Sequence, residues 1–467
     1  MSNGVLPDYL SMAKPNPFAN RAPWYKNTAP TYAGIFLWFV FWSSMPSGGS
    51  GIAGGVLSQG IGVALLGLVI SAVLCHFLFY LAMGLMGMKT GLPLYVVGSS
   101  TYGTQGGLLM PGFLMGLLQF GWLAVNAYFS SQALAPLWNN SVGVTKVVMV
   151  IWALGAAFIA LKGIQYVAKV STYLPLIPVV ILLIMLFKTV GSIGEFDTAA
   201  LIEKAPEGAA PSLGFMGVIA LSISYVVGFY ATAGAAGVDF GSNSKDEKDV
   251  QMGGLMGVAL AIIVTGGLSI FIAAGAFAKT GTYDLNTAGG SLMAAVVSVG
   301  AAKWMGVLLA ISAFPSACFS SFIAANSFKT TLPKVNPFIS VGIGAAVAAI
   351  IAVGGWAGDL ASVFSVIGAS FGPVCGAMTV EYFISGKKWS GPRKGWNMAG
   401  WISWVVGFIV GMAPLVGIAN IPAAPLMAFI VGAVLFFALA KAGLQPPVIE
   451  MATASSGETA PEEKKEE

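Results

Sequence analysis

Charge is what this sequence most lacks: Asp, Glu, Lys and Arg make up 9% of its 467 residues, against roughly 25% in an ordinary soluble domain. That deficit excludes a water-soluble fold. Histidine is almost missing as well, with His76 alone, so histidine triads and multi-histidine metal sites are ruled out. The three cysteines, Cys75, Cys318 and Cys375, sit apart in apolar stretches without metal-ligand or redox spacing, which excludes a disulfide framework. No nucleophile with a base, paired carboxylates or metal ligands converge at one depth, so no enzyme, cofactor or nucleic-acid partner is expected. The first 30 residues lack the apolar core of a cleavable signal and read as a polar arm with Lys14, Arg21 and Lys26.

What is present is apolar: 57% of residues are hydrophobic, with 61 glycines and 29 phenylalanines. A helix needs ~20 mostly apolar residues to cross the hydrocarbon core. Such stretches recur at about 31–57, 61–86, 108–136, 144–161, 166–187, 212–238, 252–278, 304–328, 336–354, 359–384, 397–418 and 421–440. The chain therefore reads as an all-α membrane protein of about twelve spans. With the N-terminus inside, 17 of the 22 lysines and arginines fall on the cytoplasmic side, including Lys387, Lys388, Arg393 and Lys394. The positive-inside bias then places both termini in the cytoplasm, in an inner or plasma membrane. From Gln445 the composition turns to Pro, Ser, Thr, Glu and Lys, and residues 444–467 read as a disordered tail.

Breaks in transmembrane helices survive only where protein or a water-filled cavity satisfies the freed backbone. Two spans carry break signals. Span 1 has Ser44-Met-Pro-Ser-Gly-Gly-Ser50, and span 6 has Val227-Gly-Phe-Tyr-Ala-Thr-Ala-Gly234. They open two five-span halves, 31–187 and 212–384, joined externally by 188–211 and followed by two additional helices in 385–443. The halves would enter the membrane with opposite orientation, a five-plus-five inverted repeat of the kind that places binding sites at paired breaks.

Polar residues within the spans are few. On span 3, Trp122 and Asn126 are spaced by four and share a helical face. An indole face can stack on a flat heteroaromatic solute while an amide offers its edge a donor and an acceptor. On span 8, Ser320 and Ser321 supply neutral oxygens suited to a hard monovalent cation, and Asn326 follows. Serines in such helices also bond back to their own i−4 carbonyls. Lys169, Asp239, Asp359 and Glu381 lie near span ends and read as structural pairs or gates.

These motifs, with Gly87-Met-Lys-Thr-Gly-Leu92, Gly121-Trp122, Ala233-Gly234, Val238-Asp239-Phe240, Ala324-Ala325-Asn326 and Gly372-Pro-Val-Cys-Gly376 before Glu381-Tyr382, stand in a telling order. Over residues 30–440 the chain resembles nucleobase:cation symporter family 1, the cytosine, purine, allantoin and hydantoin permeases. The resemblance implies a cation-coupled symporter on the inverted-repeat fold. Trp122 and Tyr230 would sandwich a planar solute, Asn126 and Asn326 would read its edge, and Phe41 and Trp42 would complete the pocket. It also implies a sodium site between Leu37 and Val40 of span 1 and Ala317, Ser320 and Ser321 of span 8, with a proton as the other coupling ion. Tyr230 and Asn126 depart from the usual larger ring and longer glutamine, and Glu381 from the usual aspartate. A symporter of an amino acid or vitamin on the same fold is the alternative reading. Monomer and homodimer are both compatible with the sequence.

Overall fold

In the computed structural model the chain is helical, and residues 6–49, 51–171, 173–288 and 290–451 are described. Among them, nine helices are long and apolar enough to cross a membrane: spans 2 (Gly55–Thr90), 3 (Ser99–Trp138), 4 (Val142–Lys162), 5 (Leu176–Glu195), 6 (Phe215–Ala235), 7 (Glu247–Thr280), 8 (Val299–Thr331), 10 (Leu360–Ile384) and 12 (Ala424–Lys441). Two shorter apolar helices, spans 9 (Pro337–Val353) and 11 (Met398–Met412), and a broken span 1 complete the twelve expected. This is an integral membrane protein. Beside it, the described residues form only isolated β-bridges, among them Ala22 with Ser244 and Arg393 with Val448.

The spans pack in two groups, 1, 2, 6 and 7 on one side and 3, 4, 8 and 9 on the other. Each group pairs a span with the one five later, which is what two inverted halves packed together produce. Span 5 leans on spans 7 and 8, span 10 lies along span 6, and spans 11 and 12 close over span 10. Lipid tails are as apolar as leucine, so close approach rather than hydrophobic burial holds such helices together. Gly228 is one such contact: a Cβ there would lie 2.7 Å from the Phe364 carbonyl oxygen. That approach of span 6 to span 10 brings Phe229 and Phe364 side by side, with ring centroids 5.4 Å apart.

Span 1 is discontinuous, but not where proline and glycine pointed. Helix Thr28–Phe36 stops at Leu37, Trp38 is extended (φ −62°, ψ 124°), and helix Phe39–Ser44 restarts. Side chains bond to carbonyls at the break and in the helix that follows it. The Trp42 indole Nε1 donates to Leu37 O (3.3 Å), and the Tyr225 hydroxyl donates to Val40 O (3.1 Å) and Phe41 O (2.8 Å). Pro46 instead lies in the 3-10 turn Met45–Ser47, after which Gly48 and Gly49 take φ of +67° and +68° and lead the chain out of the span. Ser50 lies outside the described residues.

Span 6 corrects the expectation of paired breaks: its glycine-rich stretch is helical through Ala235, and the chain only steps at Ala236 before the short helix Gly237–Gly241. Small residues there serve packing, since a Cβ on Gly234 would press on Phe79 at 2.9 Å.

The tail expectation also needs correction. Residues 445–449 dock on the connection between spans 10 and 11: Arg393 Nη1 donates to Pro446 O, Lys394 N to Pro447 O and Ile449 N to Pro392 O. Buried Glu381 anchors this dock, accepting from Arg393 Nη2 (3.2 Å) and Gln445 Nε2 (3.0 Å). Residues 452–467 lie outside the described residues. On the same face the N-terminal arm is held by Tyr9, whose hydroxyl donates to Thr104 O, and by Arg21, whose Nη1 donates to Met88 O. Both arms therefore meet on one face, as an even number of crossings requires.

Candidate functional site

Helix geometry places a cluster of rings where spans 1, 3, 6 and 10 meet. Trp122 of span 3 stands edge-on to Trp38 in the span 1 break (centroids 5.8 Å apart, planes at 67°) and to Phe229 of span 6 (5.1 Å, 77°). Phe364 of span 10 lies 5.7 Å from Trp122. Phe41 closes the far side 4.9 Å from Phe229, and Tyr225 lies 5.2 Å from Phe364. The Trp122 Nε1 donates to Thr232 Oγ1 at 3.1 Å, fixing the indole against span 6. None of these residues is charged. Offset and edge-to-face pairs of this kind are favoured by the ring quadrupoles, and a flat ligand can take part in the same way.

Four residues of this box, Trp38, Phe229, Phe364 and Tyr225, are absent from the sequence-based set. Tyr230 is the correction: it faces away, stacked on Phe36 at 5.7 Å and tilted to Tyr32 at 5.8 Å. Neighbouring helical residues point about 100° apart, so the ring opposite Trp122 is that of Phe229. Phe41 lies in the box as expected. Trp42 is fully buried, with its N–H on the Leu37 carbonyl.

Asn126 is buried one turn from Trp122, but its amide is engaged. Nδ2 donates to Ala313 O of span 8 (2.9 Å), while Oδ1 accepts from Trp152 Nε1 of span 4 (2.9 Å) and Ser130 Oγ (3.3 Å). An amide oxygen has two lone pairs, and both are taken. Asn126 thus ties spans 3, 4 and 8 together. Asn326 lies on span 8 with an exposed side chain, and its backbone oxygen accepts from Thr330 Oγ1.

The expected cation ligands fall in two groups. Leu37 and Val40 flank the span 1 break. On span 8, Ser321 and Ala317 are buried, and Ser321 Oγ donates to Ala317 O at 3.3 Å; Ser320 is half-buried beside them. Among the described residues no hydrogen bond joins the two groups. A carbonyl that accepts one hydrogen bond keeps a second lone pair, so the Leu37 oxygen, which lies between the two helices and accepts the Trp42 N–H, remains able to coordinate a hard cation. The Val40 oxygen instead lies inside the helix Phe39–Ser44 and already accepts the Tyr225 hydroxyl as well. No cluster of three His, Cys, Asp or Glu side chains occurs among the described residues.

No protein-family profile matches the chain, and no curated protein does. Solved structures do. Mhp1, a nucleobase-cation-symport-1 family transporter, in a closed conformation with bromovinylhydantoin bound, aligns over 96% of this chain and 98% of its own at 15% identity and a TM-score of 0.62. The inward-facing conformation of Mhp1 aligns over 97% of both chains at 16% identity and a TM-score of 0.67. This chain has the fold of these transporters. A Na+-coupled sialic acid symporter aligns at 12% identity over 96% of this chain and 94% of its own, with a TM-score of 0.53. A histidine-to-alanine mutant of the manganese transporter of Eremococcus coleocola aligns at 14% identity over 94% of this chain and 97% of its own, with a TM-score of 0.51. Neighbours with such different cargo share a scaffold, so cargo has to be argued from the side chains at the site.

Proposed function

We propose that the chain is a secondary active transporter of the nucleobase-cation-symport-1 type that imports a planar, uncharged solute together with a cation by alternating access. The box of rings around the span 1 break carries the reading. Its faces suit a flat ring, and its lack of charged side chains leaves nothing to neutralise a carboxylate or an ammonium group, which disfavours an amino acid. Two of the fold neighbours, a nucleobase-cation-symport-1 family transporter with bromovinylhydantoin bound and a Na+-coupled sialic acid symporter, support a cation-coupled mechanism. Cytosine, a purine, a hydantoin and allantoin are the solutes of this shape.

In this reading Trp122 and Phe229 hold the ring, Phe41 closes the pocket, and Asn326 meets the solute from span 8. Sodium, with a proton as the other candidate, sits between the Leu37 carbonyl at the span 1 break, beside Val40, and Ala317, Ser320 and Ser321. Neutral oxygens of this kind suit a hard monovalent ion. A manganese-like cargo fits poorly, because no acid, thiol or imidazole cluster is found among the described residues. The lysine and arginine bias places both arms in the cytoplasm.

The test is a panel of nucleobases, hydantoins, amino acids and vitamins, screened by thermal shift of the purified protein with and without sodium. A ligand that binds the native state raises its stability in proportion to ln(1 + [L]/Kd). Stabilisation by a planar ring compound, strengthened by sodium and lost in Trp122→Ala, is expected. Stabilisation by amino acids alone, or binding unchanged in Trp122→Ala, would overturn the reading.

A further inference from the structure

Tryptophan carries one hydrogen-bond donor and no acceptor, and its N–H cannot rotate to find a partner as a hydroxyl can. Among the described residues seven indoles donate to protein acceptors, including Trp42 to Leu37 O, Trp122 to Thr232 Oγ1 and Trp152 to Asn126 Oδ1. Trp38 breaks the pattern. The residue is 9% exposed, and its Nε1 is a buried donor without an acceptor among the described residues. Burying an unpaired N–H is costly, and in lipid no bulk water relieves it.

The position of this donor matters as much as its isolation. Trp38 is the extended residue between the two halves of span 1, and its ring lies 5.8 Å from Trp122 and 6.2 Å from Phe229. It is thus part of the ring box. Neighbouring polar groups are engaged with protein: the Trp122 N–H with Thr232, the Tyr225 hydroxyl with the span 1 carbonyls, and the Asn126 amide through its oxygen with Trp152 and Ser130 and through one N–H with Ala313. The edge of a flat solute entering here meets the Trp38 N–H, a fixed donor with no acceptor of its own among the described residues.

We propose that the Trp38 indole N–H is a specificity-determining donor that reads an acceptor, a carbonyl oxygen or unprotonated ring nitrogen, on the edge of the bound solute. The inference rests on the reading that the ring box is the solute site. It narrows the solute class to planar rings carrying such an acceptor, cyclic amides and azines, and excludes purely aromatic hydrocarbons and rings that present only donors. The role that sequence suggested for the Asn126 amide passes to span 1, which can then sense the solute at its own break.

Oxygen-to-sulfur exchange weakens an acceptor while preserving ring shape, so it tests the bond without any variant. Dissociation constants for uracil, 2-thiouracil and 4-thiouracil, hydantoin and 2-thiohydantoin, and hypoxanthine and 6-thiohypoxanthine are measured on the full-length protein in nanodiscs. The same set is measured on Trp38→Phe, which keeps a ring but removes the donor. For an oxo compound that binds the wild type, exchange at one carbonyl is expected to weaken binding about tenfold, as one lost hydrogen bond implies. Trp38→Phe should weaken the oxo compound by a similar factor, and in that variant the same exchange should cost nothing further. Exchange penalties equal in the two proteins would overturn the role of Trp38 while leaving the ring site intact. Failure of every ring compound to bind the wild type would overturn the ring site itself, and this inference with it.

Discussion

Replacing Asn126 with alanine separates a residue that touches solute from one that holds spans together. The substitution removes three bonds, to Ala313 O, Trp152 Nε1 and Ser130 Oγ. Hydrogen bonds between membrane helices average about 0.6 kcal/mol and reach about 1.7 kcal/mol, and a stranded buried donor such as the Trp152 N–H adds about 1 kcal/mol or more. Asn126→Ala should therefore lower unfolding free energy by roughly 2–4 kcal/mol. The assay is equilibrium unfolding in mixed micelles followed by far-UV circular dichroism, run with Trp152→Phe and the double variant. The cycle should return a coupling of about 0.6–1.7 kcal/mol between the two side chains. Solute affinity of the folded fraction should stay within about twofold of wild type, since the amide has no free acceptor to offer. Unchanged stability combined with a large loss of affinity would refute this reasoning and return Asn126 to the pocket.

Other perturbations test the frame around the site. Glu381→Gln removes the charge that Arg393 and Gln445 share (side-chain exposures 1% for Glu381 and 13% for Arg393). Amide exchange at Lys394 and Ile449 should accelerate as residues 445–449 loosen, and wild-type protection there would contradict the dock. Burial raises the Asp239 carboxyl from 3.8 to about 6, against the bond that its Oδ1 accepts from Leu94 N. Because the folded state holds this proton more tightly than the unfolded chain, its stabilising effect is complete below about pH 4 and lost as pH rises through about 6. Asp239→Asn should flatten that part of the thermal-stability profile, and an unaltered slope would contradict it. A methyl group at Gly87 would run into the Val238 carbonyl oxygen, so Gly87→Ala should cost about 1–3 kcal/mol through overpacking of span 2 against the short helix Gly237–Gly241. A wild-type melting temperature for that variant would disprove the close approach.

Hydropathy alone located most of the spans, because a bilayer demands a run of apolar residues wherever a helix crosses. Span ends and interruptions were harder to see. The span 1 break falls at Leu37 and Trp38, which contain neither proline nor glycine. The Leu37 carbonyl at the break is met by the Trp42 indole, and the helix that restarts after it is tied by the Tyr225 hydroxyl, far along the chain, to Val40 and Phe41. Pro46 and the glycines after it, read as the break, end the span instead. In span 6 Gly228 and Gly234 remain helical and make room for neighbouring spans, and sequence cannot distinguish that use of glycine from unwinding.

The site shows the same limit. Trp122 stands out as an aromatic beside an amide, but Phe229 and Tyr230 are adjacent, and only the rotation of span 6 against span 3 decides which ring faces Trp122. Asn126 looked free because its partners, Trp152 and Ala313, are 26 and 187 residues away. The docking of Gln445 on Glu381 spans 64 residues, so a tail of disorder-prone composition is ordered at its first residues by a buried charge at the end of span 10.

The central claim, that the rings around the span 1 break carry a flat solute across the membrane, is tested most directly by uptake into proteoliposomes. Radiolabelled cytosine, hypoxanthine and hydantoin are offered under an inward sodium gradient, and the wild type is compared with Phe229→Ala and Tyr230→Ala. Saturable, gradient-driven uptake of at least one of them, abolished by Phe229→Ala and largely kept by Tyr230→Ala, is the predicted result. Absence of uptake of any planar ring, or transport that survives Phe229→Ala and fails in Tyr230→Ala, would contradict the account.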